Sequence, residues 1–175
     1  MKIEMRELCP QDAIDAARIH KVMKEKDEFN FLLSDYVQDE DFAPYLERVA
    51  AFKDVATVPE GKVVSTFLVA VVDGKIAGRI SIRHSLNDFL ALTGGHIGYG
   101  VAPEFRGQGV ATYMLKYGLE FLKGIGVERC FISCLPHNDH SRRTIEKCGG
   151  EFAGIVADTF NGGKEYRTYW IPTSA

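Results

Sequence analysis

The stretch with the plainest chemistry is Arg106-Gly107-Gln108-Gly109-Val110-Ala111, set between the apolar run Ile97-Gly98-Tyr99-Gly100-Val101 and a helix-like segment. A strand, a glycine-rich turn and a helix in that order leave unpaired backbone N–H groups at the helix start. Those groups, with the positive end of the helix dipole, suit a phosphate or pyrophosphate. Two better-known phosphate loops do not fit. Walker A needs Ser or Thr after its Gly-Lys pair, but the pairs at Gly61, Gly74 and Gly163 are followed by Val63, Ile76 and Glu165. Gly107-x-Gly109-x-x-Thr112 approaches the dinucleotide fingerprint, yet Thr112 holds the third position, Pro103 breaks the strand early, and the preceding strands read as hairpins. A nucleotide-binding oxidoreductase is therefore the weakest function kept open.

Other reactive side chains are sparser. His137 and His140 lie three apart across a helix start with no full ligand set legible around them, and zinc asks for three or four ligands, so no metal site is expected. The four cysteines, Cys9, Cys130, Cys134 and Cys148, occur singly and form no Cys-x-x-Cys pair. They read as small buried hydrophobes in a reduced, cytoplasmic setting, and Cys134 has no legible His partner for covalent catalysis. Asn138 is a good helix cap. His96 sits on the glycine side of the Ile97–Val101 run and has the intrinsic pKa of a physiological base.

These groups need a scaffold, and the chain supplies one. Lys2–Leu8 alternates like a strand, and Pro10-Gln11-Asp12 opens a helix with apolar residues at helical spacing. Between 29 and 60 the aromatics Phe29, Phe31, Tyr36, Phe42 and Tyr45 mix with Asp35, Asp39, Glu40 and Asp41, and a helix is expected over 40–53. Val63–Val72 and Lys75–Arg83 flank Asp73-Gly74, a hairpin signal. Gly98 and Gly100 share the face opposite Ile97, Tyr99 and Val101, where a glycine makes room for a ligand or another backbone. In the helix over 109–123, Thr112, Lys116, Glu120 and Lys123 make one polar stripe, which predicts burial of the remainder. A strand over Arg129–Leu135, a helix over Asn138–Cys148 and two strands around Asn161-Gly162-Gly163 complete the order β-α-α-β-β-β-α-β-α-β-β. No repeat or linker appears, so residues 1–175 are expected to form one α/β domain with a mixed sheet flanked by helices.

Arg106-x-x-Gly109-x-Ala111 resembles the acyl-CoA pyrophosphate loop of the GNAT superfamily of N-acyltransferases. The segment Asn138-x-x-Ser141 followed by Ile145-Glu146-Lys147-Cys148-Gly149-Gly150 is similar to its Asn-x-x-Ala…Tyr-Glu-Lys-x-Gly-Phe segment. Arg83-His84-x-Leu86-Asn87, Gly94-Gly95-His96-Ile97-Gly98-Tyr99 and Tyr169-Trp170-Ile171 further resemble a bacterial GNAT subgroup. The resemblance implies a mostly antiparallel sheet, splayed at a central parallel pair, Ile97–Val101 and Arg129–Leu135. It implies acetyl-CoA as cosubstrate, held by Arg106, Gly107, Gln108, Gly109, Val110, Ala111 and Thr112, with Asn138 and Ser141 along the cofactor arm. Val101 would bond the pantetheine and polarise the thioester carbonyl, and His96 would be the base, with Glu104 a weaker alternative. The family's tyrosine acid is replaced by Ile145, and Tyr166, Tyr169 and Ser141 are the substitutes on offer. An N-acetyltransferase acting on a small amine or a peptide amino terminus follows. The missing tyrosine keeps a catalytically silent acyl-CoA-binding module open beside it. Homodimers are common in the superfamily.

Composition bounds the partners. A net charge of −3 argues against nucleic acid, no run of eighteen apolar residues suggests a membrane span, and the start carries no signal-peptide pattern. Residues 1–60 carry 8 basic and 14 acidic side chains, whereas 61–175 carry 13 and 10. That split suits a polyanionic cosubstrate on the second part and a cationic acceptor near the acidic, aromatic segment.

Overall fold

The computed structural model describes residues 1–26, 28, 30–33 and 35–174. Among these, seven strands and four α-helices follow in the order β1 (Glu4–Arg6), α1 (Ala13–Glu25), α2 (Phe42–Ala50), β2 (Ser65–Val72), β3 (Lys75–Arg83), β4 (Ile97–Val101), α3 (Val110–Gly124), β5 (Arg129–Cys134), α4 (Asp139–Lys147), β6 (Glu151–Asp158) and β7 (Lys164–Pro172). The strands form two antiparallel sheets, in the orders β1-β2-β3-β4 and β5-β7-β6. β4 and β5 are the facing edges of the two.

Local chemistry sets the joints. Asp73 and Gly74 both take positive φ, 48° and 75°, the geometry of a two-residue hairpin turn between β2 and β3. Asp12 accepts two hydrogen bonds from the Arg6 guanidinium, at 2.7 and 2.9 Å, and one from the Cys9 N–H at 2.8 Å, which fixes the entry to α1. The Asp41 carboxylate caps α2 at the Ala43 N–H.

β2 and β3 are buried along most of their length because both faces of their sheet are covered. Leu68, Ala70, Ile80, Ile82 and Ile97 pack against Met114, Leu115 and Leu119 of α3. On the other face Val69, Val71 and Ile76 meet Ala16, Ile19 and Met23 of α1 and Phe42 and Tyr45 of α2.

Two expectations are revised. The polar stripe of α3 is wider than four residues, since Tyr113 and Tyr117 are 42% and 38% exposed. The aromatics of the 29–60 segment are largely core: Phe31, Tyr36, Phe42 and Tyr45 are buried, while Phe29 lies outside the described residues. Two acids of that segment are drawn to Arg48, which bonds Asp35 at 2.8 Å and Glu40 at 2.7 Å, and Asp41 caps α2. A paired carboxylate on the protein's own arginine is a poor lure for a cationic acceptor.

Candidate active site

The glycine-rich loop stands exposed at the end of β4, after one 3₁₀ turn at Pro103–Phe105. Gly107 and Gly109 take φ of +73° and +85°, and a Cβ at either would meet nothing within 4 Å. They are glycine for backbone conformation, with open space around them. α3 starts at Val110 without a side-chain cap, and the Tyr113 N–H bonds the Gly109 carbonyl at 3.0 Å. Helix geometry therefore leaves the N–H groups of Val110, Ala111 and Thr112 ahead of that first bond, directed out of the helix end. The Gln108 side chain folds back to the Glu104 carbonyl at 3.0 Å. Arg106 turns the other way. Its Nε donates to the Val101 carbonyl at 3.3 Å, and its two terminal nitrogens reach the Glu28 carboxylate at 3.3 and 2.5 Å. That arginine ties the loop to both β4 and the α1–α2 connection, and its bond to Glu28 holds that carboxyl below its usual range.

β4 and β5 meet at one end only. The His96 N–H donates to the Phe131 carbonyl at 2.7 Å, and the Phe131 N–H donates back to His96 Nδ1 at 2.9 Å. Gly95 permits that approach: its φ is +70°, and a Cβ there would lie 2.6 Å from the Phe131 oxygen. Beyond this clamp, among the described residues, β4 ladders only with β3 and β5 only with β7.

The hydrogen-bond parity of β4 follows from its two ends. The Arg83 N–H bonds the His96 carbonyl at 2.7 Å and the Ala102 N–H bonds the Ala77 carbonyl at 2.9 Å. In an antiparallel ladder bonded and non-bonded pairs alternate, so Gly98 and Gly100 spend their backbone groups on β3. Ile97, Tyr99 and Val101 aim theirs at the opening. An extended arm laid along that edge would find the N–H and C=O of Tyr99 and the N–H of Val101, as in strand addition.

On the far side of the opening, Asn138 Oδ1 accepts from the Ser141 N–H at 3.1 Å and caps α4. Ser141 Oγ lies 2.9 Å from the Tyr99 hydroxyl. Ile145, one turn later, is fully buried in the core, so α4 brings no acid to the opening at that position. Of the substitutes, Tyr169 is buried, with its hydroxyl accepting from Arg167 Nε at 3.0 Å. Tyr166 is half-buried on β7.

His96 is not placed as a base. Its ring is buried and its Nδ1 lone pair is already taken by the Phe131 N–H, which puts the proton on Nε2. Burial, with the nearby Arg83 charge, lowers its pKa to about 4. It joins two strands. Glu104 is likewise committed, its carboxylate 2.6 Å from Arg18.

Two residues with structural weight at the site escaped the sequence. Arg79 on β3, opposite Gly100, is buried and donates to the Phe31 and Asn30 carbonyls at 2.6 and 2.7 Å and to Ser81. It pins the α1–α2 connection under the glycine face of β4. A lone arginine among Ile76, Ala77, Ile80 and Ile82 was the available signal. Tyr99 is the second, and its signal was a tyrosine on the packed face of a short strand, where a hydroxyl needs a partner. Among the described residues no three His, Cys, Asp or Glu side chains gather as a metal site, and no helix is long and apolar enough to cross a membrane.

No curated protein sequence matches the chain. Solved structures do. RimJ of Mycobacterium smegmatis, in complex with CoA-disulfide, superposes with a TM-score of 0.71 at 20% identity, over 97% of this chain and 81% of that one. The microcin C7 self-immunity acetyltransferase MccE, in complex with acetyl-CoA and AMP, gives 0.71 at 19%, over 98% and 92%. The ribosomal-protein-S5-alanine acetyltransferase of Vibrio fischeri gives 0.67 at 17%, over 98% and 93%. At such identities the likeness is one of fold: helices flanking antiparallel sheets. Residues 25–150 match the family model "Acetyltransferase (GNAT) family", and the chain belongs to that family.

Proposed function

We propose that the protein is an acetyl-CoA-dependent N-acetyltransferase that passes the acetyl group to the amine of a small molecule or a peptide amino terminus, by direct attack in a ternary complex. The observation that carries this is the pairing of an uncapped α3 start behind Gly107 and Gly109 with a β4 edge whose Tyr99 and Val101 backbone faces the opening. The fit is chemical: unpaired N–H groups for a pyrophosphate, then a free strand edge for an amide-bearing arm.

In this reading the amides from Gly107 to Thr112 hold the pyrophosphate, and Asn138 and Ser141 border the arm. The Val101 N–H lies on the seam side of β4, where it can stabilise negative charge on a thioester carbonyl oxygen. The acceptor's ammonium, with a pKa of about 8 for a peptide amino terminus and about 10 for an alkyl amine, gives its proton to water, since His96 is occupied as a clamp. A thiol pKa near about 8.5 makes the leaving group tolerable without a full acid.

The test is release of free thiol from acetyl-CoA in the presence of glycinamide, spermidine and an alanine-initiated hexapeptide. Turnover with at least one acceptor is expected. Tight acetyl-CoA binding with no turnover would instead identify a silent acyl-CoA-binding module, to which the buried Ile145 at the family's tyrosine position lends its support.

A further inference from the structure

We propose that the Tyr99 hydroxyl is the hydrogen-bond donor to the departing thiolate, supplied from β4 in place of the side chain that α4 lacks at Ile145. This rests on the acetyl-transfer reading above. Three placements lead to it. Tyr99 is on the strand edge that faces the opening, between the clamp at His96 and the Val101 amide. Its hydroxyl crosses the opening to α4, 2.9 Å from Ser141 Oγ. Ser141 lies four residues before Ile145, and residues four apart share a helix face. The Tyr99 hydroxyl therefore sits one turn from the position that α4 leaves without a donor, and the ring is half-buried rather than sealed in the core.

The phenol keeps its proton through the reaction. Burial pushes its pKa up to about 12, against the opposing hydrogen bond from Ser141. The acceptor nitrogen adds to the carbonyl carbon, the carbon–sulfur bond breaks with its electron pair on sulfur, and the carbonyl re-forms. The surplus proton on nitrogen goes to water. Tyr99 donates its O–H to the sulfur as the charge develops, and the released thiolate takes a proton from solvent. The sum is thioester plus ammonium giving amide, thiol and one proton.

Tyr99→Phe keeps the ring and removes only the donor. The first readout is binding: calorimetry of CoA and of desulfo-CoA between pH 7 and 9.5. In the native protein a stabilised thiolate makes CoA gain about 3- to 10-fold in affinity over desulfo-CoA across that range, in which a free thiol titrates near about 8.5. In Tyr99→Phe that gain disappears. The second readout is turnover with the best of the three acceptors: kcat falls about 10- to 100-fold, at the low end of acid-type contributions, with KM within about 2-fold. An undiminished pH-linked gain in Tyr99→Phe overturns the proposal, even where kcat has dropped, because a packing role would leave that gain in place. Native protein that shows the gain but turns over no acceptor overturns the acetyl-transfer reading while leaving Tyr99 at the sulfur. Native protein that binds neither CoA nor acetyl-CoA removes both.

Discussion

At the Gly95–His96 end of the seam, β4 and β5 are tied by reciprocal bonds of 2.7 and 2.9 Å through Phe131. Three to five residues further on, at Tyr99 and Val101, β4 has the same kind of backbone edge but ladders only with β3 among the described residues. One end satisfies its groups within the protein; the other leaves them facing the opening, where the proposed cosubstrate arm would lie. The difference begins with Gly95, whose positive φ lets the chain lie against Phe131, and His96, whose ring acts as an acceptor for a backbone amide. A sheet edge left unpaired ordinarily invites aggregation. Here the clamp confines the gap to a slot, bordered by α4 through Ser141.

Substitutions at either end of the seam test this difference. The largest effect is expected at the open end's anchor. Gly109→Val places a β-branched residue at φ +85° and costs roughly 2 kcal/mol or more in that conformation. Acetyl-CoA affinity should fall at least about 30-fold by calorimetry, with the far-ultraviolet circular dichroism of the fold retained. At the closed end, His96→Ala leaves the buried Phe131 N–H without its acceptor. Such a loss costs about 1–3 kcal/mol, seen as a lower denaturation midpoint.

Smaller effects sharpen the roles. The pH dependence of kcat/KM should rise through neutrality toward the pKa of the acceptor amine, with no inflection in the ordinary histidine range, since His96 is held near about 4. An inflection near about 6.5 would restore a histidine base. The smallest effect is at Arg106. Glu28→Gln removes one negative charge beside the loop while an exposed pair itself contributes only about 0–1 kcal/mol to stability. Acetyl-CoA should bind a few-fold more tightly at low salt, and the gain should shrink as salt rises. Because Arg106 holds the Glu28 carboxyl below its usual range, this pair contributes at neutral pH and is lost as the pH falls through that lowered pKa.

The element order was legible throughout the chain because glycines and prolines punctuate it. Asp73-Gly74 and Asn161-Gly162-Gly163 marked hairpins through residues that accept positive φ, and all but Asn161 do so. The glycine-rich turn before α3 was legible for the same reason at Gly107 and Gly109. What the sequence hid was which polar groups would be used up by the fold. His96 reads as a free base until Phe131, 35 residues later, presents its amide. Asp35 and Glu40 of the α1–α2 connection read as part of a lure for a cation until Arg48 takes them. Tyr99 reads as packing until α4 brings Ser141 to its hydroxyl. In each case a long-range contact decides, and no local periodicity carries that information.

The proposed grip on acetyl-CoA lies in alternate amides of one strand and the first turn of one helix. Amide-resolved ¹H–¹⁵N spectra of the native protein, titrated with acetyl-CoA, address it residue by residue. The largest shifts are expected at Tyr99, Val101 and the run from Gly107 to Thr112, with Gly98 and Gly100, whose amides belong to the ladder with β3, moving much less. Saturating acetyl-CoA that leaves Tyr99, Val101 and the Gly107–Thr112 amides unmoved, or that shifts Gly98 and Gly100 instead, would contradict it.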